Sequence, residues 1–318
     1  MKIFLTGGSG YLGRNFIEYA FKEDPRLSII VLSRSSIADD RILRAAENAR
    51  NGRERVRIIR GDMHDEDALR EDFEKINIQG TQILVDILKS LPASVDPPRL
   101  VHISSFTAKI ANHIPGDVLP DWAPYSKSKH LTEALVANSK LNDVVILRLG
   151  WLWGKDDDVL LPQIYRLQKN PIWKVSPPAY PLSIQHITNA CESIYCASTV
   201  ETTPSLIYEF KDRESDIEIE DFVEMYVGAA YDLKKVMRPF NRLRAPQSLI
   251  FGIFTFVEWI PFLGYGTKWV FDGFSREPLY ILYHDYRLND EKARGELGYA
   301  AKISREEGLN ELIEKKIK

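Results

Sequence analysis

The chain has 318 residues, of which 44% are hydrophobic and 27% charged, with a formal net charge of −3. This composition supplies a sizeable core and excludes a disordered chain, and the near-neutral balance gives no electrostatic case for nucleic acid as a ligand. The length exceeds that of one ordinary doubly wound domain and allows a second, smaller lobe.

Ile3, Phe4 and Leu5 form an apolar run, followed by Thr6-Gly-Gly-Ser-Gly-Tyr-Leu-Gly13 and an amphipathic stretch carrying Phe16, Ile17, Tyr19 and Ala20. The pattern predicts a strand, a glycine turn and a helix, the unit that binds a dinucleotide. Gly7 serves the tight turn, Gly10 lets backbone approach a pyrophosphate, and Gly13 lets the helix pack closely. Tyr11 and Leu12 open the helix whose N–H groups face the phosphates. An ordinary glycine-rich loop is the alternative, and the position between strand and helix argues against it. Because the chain enters this strand at once, no leader is expected and a cytosolic location is predicted.

Ser28 to Leu32 and Val56 to Ile59 read as buried strands. After the second strand, where an acidic residue usually takes the ribose 2′-hydroxyl, stand Ser33, Arg34 and Ser35. A guanidinium pairs with a 2′-phosphate and small hydroxyls donate to it, so NADP is favoured over NAD. The alternative for Arg34 is a solvated loop arginine. Gly61-Asp62 closes the third strand, where Asp62 contacts the adenine or simply opens an acidic helix start.

Leu100 to Ile103 predict a further buried strand ending in Ser104-Ser105, and a helix begins at Tyr125-Ser-Lys-Ser-Lys129. Positions i and i+4 share a helix face, so Tyr125 and Lys129 project together. A phenol with a pKa near 10 is a poor acid–base catalyst at neutral pH, and a neighbouring lysine charge stabilises its phenolate. A serine hydroxyl opposite can hold a carbonyl or alkoxide oxygen. Taken alone, such a Tyr/Lys pair is commonly a surface contact; its place downstream of the glycine turn makes the catalytic reading the better one.

These motifs, with Asn77-Ile-Gln-Gly-Thr81, Arg148-Leu-Gly-Trp-Leu-Trp-Gly154 and the tail Asn289 to Tyr299, resemble the extended short-chain dehydrogenase/reductase superfamily and its 3β-hydroxysteroid and sterol dehydrogenase branch. The resemblance implies a Rossmann-type α/β fold: a doubly wound parallel sheet over residues 1–150, some later segments returning to it, and a smaller C-terminal substrate lobe over 151–318. It implies Tyr125 as general acid/base, Lys129 on the nicotinamide ribose, Ser105 on the substrate oxygen and Asn77 in support of the proton relay. Ser104 is a rival for the Ser105 role. Relatives pair through two helices of the cofactor domain, which implies a homodimer. At Ser183 to Asn189 the usual acidic residue is replaced by Thr188, in a loop expected near the cofactor or substrate mouth.

Between Asp62 and Asn77 only 14 residues intervene, too few for the usual helix, fourth strand and loop. Asp67 to Ile76 is also too charged for a buried parallel strand. The usual fourth strand is therefore expected to be missing, and the chain reads as a shortened form. Thr81 to Leu88 is the other candidate for that strand, although Ile83, Leu84, Ile87 and Leu88 have helical spacing.

Lys155 to Asp158 reads as a solvated turn rather than a metal site, since no second carboxylate cluster accompanies it. Trp151, Trp153, Trp173 and Tyr180 line an apolar cleft or form core of the small lobe. Cys191 and Cys196, five apart with no companion cluster, read as helix-face thiols rather than a disulfide or zinc site. Residues 248–264 are strongly apolar but too short to span a bilayer. With Arg238, Arg242 and Arg244 upstream they fit a peripheral membrane contact, or else a buried helix. The leading expectation is an NADP- or NAD-dependent oxidoreductase acting on a secondary alcohol or ketone of a small hydrophobic, sterol-like substrate. A nucleotide-sugar epimerase or reductase and a non-catalytic nucleotide-binding scaffold are the alternatives.

Overall fold

A computed structural model describes residues 1–47, 49, 51–61, 77–114, 119–167, 175–176, 180–201, 203–231, 243–244, 246–259 and 276–317. Asp62, the 67–76 segment, Trp173, Arg238, Arg242 and residues 260–264 lie outside them.

The first half runs β1 (Lys2–Leu5), α1 (Tyr11–Glu23), β2 (Ser28–Ser33), α2 (Ser36–Glu47), the single turn α3 (Gly52–Arg55), β3 (Val56–Arg60), α4 (Gly80–Lys89), β4 (Leu100–Ser105), α5 (Pro124–Ala137) and β5 (Val144–Leu149). The second half adds β6 (Trp151–Trp153), α6 (Leu160–Leu167), β7 (Val175–Ser176), β8 (Ile184–His186), α7 (Ile187–Thr199), β9 (Ile207–Phe210), α8 (Ile219–Tyr231), β10 (Leu243–Arg244), α9 (Gln247–Trp259), α10 (Arg276–Leu282), α11 (Glu291–Leu297) and α12 (Arg305–Ile317). The fold is α/β and Rossmann-like, with parallel ladders between helical layers.

The main sheet comes in two three-stranded pieces, β1-β2-β3 and β4-β5-β9, all parallel. Among the described residues no strand joins β1 to β4; the interval expected to lack one, 62–76, lies outside them. Thr81 to Leu88 is helical, inside α4, so the spacing of Ile83, Leu84, Ile87 and Leu88 prevailed.

Side chains unite the pieces. Ile29 and Val31 of β2 share one apolar core with Val145, Leu147 and Leu149 of β5 and with Ala190 and Ile194 of α7. Helix α1 lies against α7, with Tyr19 meeting Tyr195 edge-on at 6.1 Å. Burying such contiguous apolar surface is the dominant stabilising term. A second core gathers Trp153, Ile184, Phe222, Tyr226, Leu282 and Leu312, from β6, β8, α8, α10 and α12.

Cys191 and Cys196 are free thiols on α7. Asp156 and Asp158 are exposed in a turn as expected, and Asp157 departs from that expectation. Asp157 is 8% exposed and accepts the N–H groups of Val159, Leu160 and Leu161, capping α6, together with the Tyr226 hydroxyl. A helix start with nothing else to satisfy its N–H groups explains that burial. No helix among the described residues is long and apolar enough to cross a membrane.

Candidate active site

Two half-sites lie at the carboxyl ends of the two sheet pieces, where open α/β sheets bind ligands. In the first, Gly7 has φ +68°, the left-handed region that favours glycine. A Cβ on Gly13 would run into Gly7 O, so the helix presses on the turn itself rather than on a strand. Gly10 precedes α1 with no side-chain cap, and its own N–H donates to Gly7 O at 3.0 Å. The first internal helical bond is Arg14 N–H to Gly10 O, which leaves the N–H groups of Tyr11, Leu12 and Gly13 for an anion. This cradle fits a pyrophosphate. The Tyr11 ring does not face it: it is buried, with Arg14 above it at 5.5 Å and the Asp157 and Tyr226 groups beside it, so only its backbone is available.

At the end of β2, Ser33 is 3% exposed and its hydroxyl donates to Asp39 Oδ1 at 2.6 Å. Arg60 holds the other Asp39 oxygen at 2.5 Å, and Ser35 Oγ accepts the Ala38 N–H. Ser33 was expected to serve a 2′-phosphate; its hydroxyl is committed inward because a buried donor requires a partner. Arg34 remains exposed at the strand end.

The second half-site is built by β4 and α5. Ser104 and Ser105 point to opposite faces, as strand neighbours must. Ser104 is 4% exposed and donates to Glu133 Oε1 at 2.6 Å. Glu133 is in turn gripped by Arg148 of β5, Nη2 to Oε2 at 2.6 Å and Nε to Oε1 at 2.9 Å. Ser104 is thereby spent on structure. Ser105 accepts the N–H of Thr107 at 3.3 Å and its hydroxyl at 3.2 Å, and lies in hydrogen-bonding reach of the Tyr125 phenol.

Lys129 shares the face of Tyr125, with Nζ 5.9 Å from the phenol ring centroid, and donates to Ile103 O at 3.0 Å. Burial brings its pKa down to about 8, against the opposing pull of Glu133. The expected depression of the Tyr125 pKa by Lys129 is not found in the chain alone. Burial pushes the phenol up, Ser105 pulls it down, and the carboxylate of Glu277 pushes it up again. Asn77 reaches the same turn indirectly: its amide donates to Ser128 Oγ at 2.9 Å, and that hydroxyl donates to Tyr125 O at 2.8 Å.

The wall beside Ser105 is aromatic. Phe106 stacks on Trp151 at 5.3 Å and meets Tyr286 edge-on, with Ile281 and Leu288 in the same cluster. Tyr180, Leu182 and His284 extend it around a small recess. Trp153, by contrast, is core. Farther out, an open cleft of about 740 Å³ carries Lys109, Lys211 and Arg287, each matched by a carboxylate: Glu209 at 3.4 Å, Asp216 at 3.1 Å and Asp285 at 2.6 Å.

The Ser183 to Asn189 stretch spends its polar groups on a buried network. Asp212 accepts His186 N–H at 2.8 Å, Asn189 Nδ2 at 2.7 Å and Trp153 Nε1 at 2.8 Å. Thr188 contributes its N–H to His186 Nδ1. Sequence reasoning missed Glu133 and Glu277. The first differs in no local way from a surface acid, and the second lies in a stretch without any motif.

Residues 3–170 match the family described as the NAD dependent epimerase/dehydratase family. A 4-hydroxy-2-methyl-3-oxo-4-farnesyl-3,4-dihydroquinoline-1-oxide ketoreductase of Stigmatella aurantiaca is 26% identical, covering 98% of this chain and 96% of its own. That alignment runs over 339 positions, so at least 21 of them have no residue among the 318 here. A decarboxylating sterol-4-alpha-carboxylate 3-dehydrogenase of Dictyostelium discoideum is 22% identical over 98% of this chain and 99% of its own. In fold, the NAD complex of a dTDP-glucose 4,6-dehydratase from Bacillus anthracis superposes with a TM-score of 0.63 at 15% identity, covering 99% of this chain and 96% of that one. The glycine cradle at the end of β1, the Tyr/Lys face of α5 and the family match over more than half the chain agree: this protein belongs to the NAD dependent epimerase/dehydratase family, as an NAD(P)-dependent enzyme of the short-chain dehydrogenase/reductase type.

Proposed function

We propose that the chain is an NADP-preferring oxidoreductase that interconverts a secondary alcohol and a ketone on a hydrophobic, sterol-like molecule. The observation that carries this reading is the convergence of Ser105, Tyr125 and Lys129 at the carboxyl end of β4. The nicotinamide, when bound, supplies or accepts the hydride. In the reducing direction the Tyr125 phenol gives its proton to the carbonyl oxygen, and Ser105 holds that oxygen as negative charge develops. Lys129 would contact the nicotinamide ribose and, released from Ile103 O, lend its charge to the phenolate. The α1 N–H groups would hold the pyrophosphate, and Arg34 the 2′-phosphate.

An apolar substrate is supported by the Phe106, Trp151, Tyr286 and Ile281 wall, and by two relatives whose names specify a farnesyl and a sterol compound. The sugar-nucleotide alternative needs positive charge for a diphosphate. Lys109, Lys211 and Arg287 are already matched by carboxylates.

Two finer readings belong with it. Leu249, Ile253 and Phe256 lie exposed on α9 at helical spacing, which supports a peripheral contact with lipid. Ile83 and Ile87 of α4 and Leu131 of α5 are exposed on two helices that touch, which supports a homodimer through these two helices.

The test is a titration with NADPH and NADH, followed by nicotinamide fluorescence and thermal stability, and then reduction of 5α-cholestan-3-one in detergent. NADPH should bind more tightly, and Tyr125→Phe should lose turnover by about 10²-fold or more while retaining cofactor affinity. Cofactor binding with no turnover of any sterol ketone would return the chain to the scaffold reading.

A further inference from the structure

The helix that carries Tyr125 has no cap of its own. Ala123 offers no side-chain acceptor, Pro124 has no N–H, and the first internal bond is Lys127 N–H to Ala123 O at 2.9 Å. The N–H groups of Tyr125 and Ser126 therefore require an acceptor from elsewhere. One carboxylate, 151 residues downstream of Ser126, serves both. Glu277 Oε1 accepts the Ser126 N–H at 2.6 Å and the Ser126 hydroxyl at 2.5 Å, and Oε2 accepts the Tyr125 N–H at 3.4 Å. Glu277 is 8% exposed in the first turn of α10, whose Tyr280 hydroxyl donates to His113 O at 2.7 Å and whose ring packs on Trp122.

We propose that Glu277 is a positioning residue for proton transfer: it stands in for the missing cap of α5 and holds Tyr125 in place opposite Ser105. Its negative charge also disfavours the phenolate. The inference rests on the reading of Tyr125 as the proton carrier. A carboxylate suits the positive end of a helix, so one group both anchors the turn and sets the charge beside the phenol. Among the described residues, Lys129 on its own helix and Ser105 on β4 also face Tyr125. Around Glu277 stands also Tyr286, itself pushed up by burial and by the Tyr280 and Glu277 groups. The arrangement makes the substrate lobe part of the proton-transfer geometry, because moving α10 withdraws the acceptor from the first turn of α5.

The experiment compares Glu277→Gln and Glu277→Ala with the wild type. Alcohol oxidation requires the phenolate, so its rate rises with pH through the Tyr125 pKa. Removing the negative charge lowers that pKa, and both variants should shift the midpoint of the kcat profile for 5α-cholestan-3β-ol oxidation down by about 1 pH unit. Glutamine keeps an oxygen acceptor and should retain most of kcat, whereas alanine should lose about 10²-fold through misplacement of the phenol. Hydrogen exchange at the Tyr125 and Ser126 amides should quicken in the alanine variant and stay near wild type in the glutamine one. An unmoved pH midpoint in both variants, or unchanged exchange with alanine, overturns the proposal. A wild type that binds cofactor but oxidises no sterol removes the functional reading instead; amide exchange then still decides whether Glu277 anchors the turn.

Discussion

Arg148 grips Glu133 from β5 with two nitrogens, at 2.6 and 2.9 Å, while Ser104 of β4 occupies one of the same carboxylate oxygens. One residue thus fixes the rotation of α5 about its axis against two strands. Removing Glu133 leaves a guanidinium, 20% exposed at its side chain, without its main partner. Glu133→Ala should cost about 3 kcal/mol, measured by denaturant unfolding, because it leaves Arg148 with the more distant Glu209, at 3.4 Å, and takes the acceptor from the buried Ser104 hydroxyl. A loss below about 0.5 kcal/mol would place the pair among the weak surface contacts.

Arg34 stands exposed at the end of β2, one residue past Ser33, whose hydroxyl Asp39 holds. Arg34→Glu should weaken NADPH binding by about tenfold or more relative to NADH, since a carboxylate repels a 2′-phosphate. Fluorescence titration reads the ratio, and an unchanged ratio would make Arg34 an ordinary loop residue.

Burial raises the Asp212 carboxyl to about 6, against the opposing hydrogen bonds from His186, Asn189 and Trp153. The native state then holds a proton that the unfolded chain, with an ordinary value of 3.8, has released between those two pH values. Stability from this group is fully present below pH 3.8 and is lost as pH rises through 6. The difference in Tm between wild type and Asp212→Asn should therefore move in favour of the wild type on going from pH 7.5 to pH 4.5. A difference that stays constant with pH would show that Asp212 does not titrate there.

Replacing Leu249, Ile253 and Phe256 of α9 together by serine should leave thermal stability nearly unchanged, because all three are exposed. Co-sedimentation with liposomes containing phosphatidylserine should fall several-fold. Equal sedimentation of the triple variant would remove α9 as a lipid contact. Its buried side is already accounted for by Phe251, which meets Trp122 edge-on at 5.1 Å.

What local pattern could reveal, it did. The glycine turn, β2, β3 and β4, and the common face of Tyr125 and Lys129, all follow from short-range spacing that a backbone period dictates. The choice between Ser104 and Ser105 was open because alternation places them on opposite faces without saying which face carries Glu133. The direction of the Tyr125 shift was misjudged for a related reason. Spacing gives the distance to Lys129 but not the burial around the phenol, nor the carboxylate of Glu277. Likewise Ser33 looked like a ligand for phosphate until Asp39, six residues on, took its hydroxyl.

The closing segment of the fold is woven into its opening one. Glu192 of α7 receives the N–H groups of Ala300 and Lys302, and Lys302 reaches Tyr19 and Glu23 on α1, while Ala293, Leu297, Tyr299 and Ala301 join the core of Phe16 and Ala20. During synthesis the apolar side of α1 leaves the ribosome long before its last neighbours are made. The cofactor half must wait, sticky and incomplete, for residues near 300, which makes this protein a natural client for chaperones and a poor candidate for dissection into halves.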